Sequence, residues 1–150
     1  MTTRWILASI HLVALPLGVA AVWGRAAALR WVSDPGSLKR AFRADSIWGL
    51  AALLWLSTGL LRAFAGYEKG TAYYMSSHLF WLKMALFVLV VLLELYPAAT
   101  LMRWRRRTAR GEAGDLSAAA TIARISTLQA FIVIAMVFVA AAMARGMGGA

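Results

Sequence analysis

Lys83 and Glu94 interrupt one otherwise apolar run, Leu79-Phe-Trp-Leu-Lys-Met-Ala-Leu-Phe-Val-Leu-Val-Val-Leu-Leu-Glu-Leu-Tyr96. An ionisable side chain in a segment long enough to cross a bilayer is costly and faces a protein partner, a water-filled cavity or a ligand. Eleven positions separate the two, close to three helical turns, so they share a face but stand roughly 16 Å apart along the axis. They cannot bond each other, and two polar layers are required. His11, Arg62 and His78 join Lys83 in an outer layer, where Glu68 is the only acid of the outward loops. Such a cluster suits an anionic ligand, and a neutral His11 imidazole can ligate haem iron, with Arg62 or Lys83 holding porphyrin propionates. The bland alternative has His11 bonded to a backbone carbonyl and Lys83 snorkelling outward. Glu94 forms the inner layer with Arg124 as its expected ion-pair partner, because a buried acid needs a partner or a proton.

These groups need elements to hold them. The chain has 150 residues, is 62% hydrophobic and 15% charged, and its apolar residues collect at 5–23, 46–65, 79–102 and 125–144. Each stretch approaches the ~20 residues that cross the hydrocarbon core as a helix, and none alternates as a barrel strand would. The expected fold is all-α, an integral-membrane four-helix bundle in one domain. The first stretch contains His11 and Pro16 and reads as a retained helix, not a cleaved leader. Basic residues crowd 24–45 and 103–124, which places both loops in the cytoplasm and both termini outside. The net charge of +10 therefore reports topology and contact with membrane lipids, not nucleic acid.

Finer features follow from spacing. His11, Ala14, Gly18 and Ala21 share one face of the first helix. Ala52, Trp55, Gly59 and Arg62, with Ser57 and Thr58 nearby, line the second, and Lys83, Phe87, Val90, Glu94 and Pro97 line the third. Pro97 withholds an amide and permits a bend near Glu94. Pro35-Gly36 can make a turn, and residues 38–43 read either as a short helix at the headgroups or as a solvated linker. Trp5, Trp23, Trp48, Trp81 and Trp104 fall near span ends, as interfacial belts do, and Tyr67, Tyr73 and Tyr74 are expected at the outer surface. Cysteine is absent, which excludes disulfides and thiolate sites. No phosphate loop, zinc spacing or serine triad is present. Only Met143 and Met147 stand four apart, too little for a copper site, and the lack of an internal repeat speaks against a monomeric transporter.

The segments His11-Leu-Val-Ala14, Asp45-Ser-Ile-Trp-Gly49, Ser57-Thr-Gly-Leu-Leu-Arg62, Lys69-Gly-Thr-Ala-Tyr-Tyr74 and Phe80-Trp-Leu-Lys-Met-Ala-Leu86 resemble a bacterial family of four-span predicted membrane proteins. That implies a multi-pass protein of the bacterial inner membrane. The chain is more distantly similar to HemJ-type protoporphyrinogen oxidase and to CopD-type copper-resistance membrane proteins. The oxidase resemblance implies functional roles for His11 and Lys83, haem b or a porphyrin as cofactor, and a tetrapyrrole or quinone-linked electron acceptor as partner. The chain departs from that pattern at Tyr96-Pro97, where the oxidases commonly carry a histidine, and in the patterning of its second helix. A noncatalytic accessory subunit is the competing reading, and a homo-oligomer is compatible with either.

Overall fold

A computed structural model describes residues 2–32, 34–64, 75–112 and 116–147. Four helices account for almost all of them: α1 Thr2–Arg30, α2 Pro35–Phe64, α3 His78–Ala109 and α4 Ala119–Ala144. All four are long and apolar enough to cross a membrane. Tyr67, Glu68, Lys69, Tyr73, Tyr74 and Asp115, used in the sequence reading, lie outside the described residues.

The helices outrun the apolar stretches that predict them. They contain 29, 30, 32 and 26 residues, whereas about 20 span the hydrocarbon core. The surplus in α1, α2 and α3 lies at one end and carries Arg25, Arg30, Lys39, Arg40, Arg43 and Arg103 to Arg107. This is called the basic end below. Residues 38–43 are thus neither an interfacial helix of their own nor a linker, but the opening turns of α2. The local chemistry explains the early start. Asp34 is the N-cap, accepting from the Ser37 amide at 2.9 Å and from its hydroxyl at 2.5 Å. Pro35 occupies the first helical position, where a missing amide costs nothing. A side chain on Gly36 would fall 2.7 Å from Asp34 Oδ1, so any larger residue there requires the cap carboxylate to shift. At the other end of the turn series, Gly111 takes φ +74° and closes α3 after the Arg110 cap, as C-terminal glycines do.

α1 packs against both α2 and α4, and α3 against α4, whereas α2 and α3 meet at only a few points. The bundle is therefore a ring closed firmly on three sides and loosely on the fourth. Ala14, Gly18 and Ala21 seat α1 on α2, as their spacing predicts, with Gly18 facing Ala51 and the Trp48 ring. Two apolar layers result. Val22, Trp48, Val90, Ala130, Val133 and Met136 form one, and Leu29, Ala41, Leu101, Trp104, Ile122 and Ala123 form the other at the basic end. Trp48 and Trp104 are consequently core residues, not members of the interfacial belt, because Gly18 and the small residues Ala119 and Ala123 leave room for indoles. Trp5, Trp23 and Trp81 are exposed. Pro97 is buried inside α3, which runs on unbroken to Ala109.

Gly18→Leu is expected to force α1 from α2 and cost about 1–3 kcal/mol as an overpacked core does, whereas Gly49→Leu, with nothing within 4 Å of its added carbon, should leave the melting temperature in detergent unchanged. The Ser37 hydroxyl and amide, with Arg40 beside them, hold the Asp34 carboxyl below its ordinary value of 3.8. A depressed folded pKa means that the cap's contribution is complete above that ordinary value and fades as pH falls through the lower one. The melting difference between wild type and Asp34→Ala should accordingly shrink on acidification below pH 3.8.

Candidate functional site: two polar layers inside the bundle

Between the two apolar layers lies one fully buried guanidinium. Arg25 sits three residues after Val22 and four before Leu29, so the helix period points it into the same interior. Its Nε donates to Ser126 Oγ at 2.9 Å. Nη1 donates to Asp45 Oδ1 at 2.8 Å and to Glu94 Oε1 at 2.6 Å. Nη2 donates to Glu94 Oε2 at 2.7 Å and to Gln129 Oε1 at 2.9 Å. All five N–H groups of the side chain are used, and the pair with Glu94 is bidentate. Gln129 in turn donates to Glu94 Oε2 at 2.8 Å and to the Val90 carbonyl at 3.2 Å. Arg105 closes the outer rim, donating to Asp45 Oδ2 at 2.9 Å and to the Phe42 carbonyl, with its guanidinium 5.0 Å from the Phe42 ring centroid. Two arginines and two carboxylates make the cluster neutral, and it draws on all four helices.

Glu94 is thus held by Arg25, not by Arg124, which is exposed on α4. The cause is the helix extension: α1 continues past Trp23, so Arg25 reaches the depth of Glu94 from inside the ring while Arg124 stays on its rim. A signal for this was present in the sequence, since Arg25 continues the 11, 14, 18, 21 face at the next step of four. Ser126 and Gln129, three apart on α4, carry the same kind of signal.

The other layer lies toward the chain termini. His11 Nδ1 is 2.9 Å from Thr58 Oγ1, its ring stacks on Trp55 at 5.6 Å and 28°, and Gly59 admits its edge, where an added carbon would come within 3.3 Å. Thr58 already donates its hydroxyl hydrogen to the Leu54 carbonyl at 2.6 Å. It can therefore only accept from His11, which puts the proton on Nδ1 and leaves the lone pair on Nε2. Lys83, half-buried on α3, and Arg62 on α2 are the cations whose fields act on this ring. Trp55 also meets Phe87 edge to face at 6.5 Å, across the loosely closed α2–α3 side. His78 is exposed at the first position of α3. The structure brings His11, Arg62 and Lys83 into one electrostatic neighbourhood, and leaves His78 on the surface.

The donor chemistry of this layer suits a haem iron, because a histidine fixed through Nδ1–H presents Nε2. The neighbouring void lined by Ala14, Gly18, Trp48, Ala51, Trp55 and Val133 measures about 10 Å³, which is room for about one water and not for a macrocycle, and neither His11 nor Lys83 lines it. Among the described residues no group of three or more histidine, aspartate or glutamate side chains is placed to hold a metal.

Residues 3–148 match a family model described as predicted membrane protein, DUF2214. The chain belongs to that family. No curated protein and no solved structure matches it, and no similarity to HemJ-type or CopD-type proteins is shown. For this DUF2214 chain, removing the hub cation should be the most damaging single change. Arg25→Ala leaves Glu94 without its cation and Asp45 with Arg105 alone and is expected to cost about 3–5 kcal/mol, while Arg124→Ala should stay within about 0.5 kcal/mol of wild type. Thermal unfolding of both variants in one detergent checks the contrast.

Proposed function

We infer that this protein is a noncatalytic multi-pass module of the bacterial inner membrane that binds a membrane-soluble, anionic amphiphile in its terminal half. The observation that carries this reading is Lys83. Its ammonium stands in a membrane span, half-buried, with no hydrogen-bond partner among the described residues, and a charge in that position calls for a ligand or water. His11 beside it offers an oriented lone pair, and Trp55 with Phe87 offers a flat apolar wall. Access runs sideways from the lipid, between α2 and α3, where the ring is least closed. The basic end faces the cytoplasm by the positive-inside rule, which puts this site in the outer leaflet half.

A second reading is favoured by the His11 tautomer: a tetrapyrrole bound at the same opening, His11 Nε2 toward its metal and Lys83 and Arg62 toward its propionates. Electrons would then leave through a quinone-linked acceptor. In that case α2 and α3 must separate to admit the ring, since the packed interior does not.

A brominated fatty-acid anion that quenches tryptophan fluorescence discriminates these readings in detergent. Quenching should saturate for wild type and weaken by about tenfold or more in Lys83→Met, the loss of one charge-assisted hydrogen bond. Equal titrations of the two proteins would remove the Lys83 site. A Soret band after haem addition that disappears in His11→Ala would support the tetrapyrrole instead.

A further inference from the structure

At the end of the molecule opposite the Lys83 layer, a groove of about 450 Å³ opens between the end of α1 and the start of α4. Leu29, Trp31, Val32 and Leu116 give it apolar lining, and Arg30 gives it a cation. Ala120, Arg124 and Thr127 follow the four-then-three spacing of a single helix face. Thr127 accepts from Arg30 Nη2 at 3.3 Å, so the Arg30 head lies over the same face of α4 that carries Arg124. Arg30 lines the groove, and Arg124, exposed on α4, stands one turn beyond the lining residue Ala120. The start of α4 adds to the positive field, since helix starts favour negative charge. Trp31, 79% exposed, stands where interfacial tryptophans meet headgroups.

We propose that this groove binds the phosphate headgroup of an anionic phospholipid from the leaflet at the basic end. Arg30 and Arg124 take the phosphate oxygens, and guanidinium groups do this through paired N–H donors. Leu29, Val32 and Leu116 take the glycerol and the upper acyl chain, and Trp31 covers the headgroup from the side. Charge complementarity selects the occupant: a basic pocket between membrane helices on this side is the arrangement that holds acidic lipid headgroups. This site is separate from the Lys83 layer in position, residues and leaflet, so neither stands or falls with the other.

The test uses the full chain in nonionic detergent, titrated with brominated phosphatidylglycerol and brominated phosphatidylcholine and read by tryptophan quenching. Wild type should bind the anionic lipid at least about tenfold more tightly than the zwitterionic one. The double variant Arg30→Gln, Arg124→Gln should lose that preference, and Lys39→Gln, Arg43→Gln, an equal loss of charge elsewhere on the basic end, should retain it. Both pairs are at the surface, and matching melting temperatures confirm that they fold. If the two double variants lose the preference equally, surface charge and not this groove is responsible, and the proposal fails. If millimolar inorganic phosphate displaces the lipid from wild type, the groove is a free-phosphate site and the lipid assignment fails.

Discussion

The guanidinium of Arg25 decides how the four helices stand relative to one another. A cation that deep tolerates neither a rotation of α1 nor a slide of α3, because each of its N–H groups has one acceptor and any displacement strands a buried charge. Asp45, Glu94, Ser126 and Gln129 come from the three other helices, so one side chain sets the register of all of them. Apolar packing in lipid is weakly directional, since lipid tails compete with leucine for the same contacts. The hub supplies the direction. Whether an apolar replacement of the whole cluster would be equally stable is a separate matter from what it specifies, which is one arrangement among the many that leucine-rich helices can adopt.

The contrast between the two layers follows from that constraint. Around Arg25 the ring is pinned on every side, and Arg105 fastens α2 to α3 just beyond it. Toward the termini, among the described residues, Trp55 and Phe87 meet edge to face between α2 and α3, and α2 and α3 otherwise touch at few points. The inner half is thus the more firmly tied part of the bundle and the terminal half the less firmly tied one, the kind of difference along which local stability varies within a fold.

The spans, the small-residue face of α1 and the inward faces of α2 and α3 were legible because they rest on local periodicity. His11, Arg62 and Lys83 were legible as a group because depth along a span places them at one level. The partner of Glu94 was not. Apolar run length ended the first helix at Trp23, and although Arg25 continues the small-residue face, nothing local announces that its charge is balanced by carboxylates 20 and 69 residues away. The same rule mistook Trp48 and Trp104 for interfacial residues, since a tryptophan at a span end looks identical whether its neighbours are headgroups or a glycine and alanines. The turn at 34–37 was half legible: Pro35-Gly36 marked it, but the Asp34 cap shows that the turn is already the start of a helix.

Arg25 and Asp45 stand on consecutive helices that form one hairpin. Within that hairpin the buried cation already meets a carboxylate, at 2.8 Å, and the Ala14, Gly18 and Ala21 face seats α1 on α2. The α1–α2 pair is therefore an electrically balanced half of the bundle in its own right, which lowers the cost of holding an arginine in lipid.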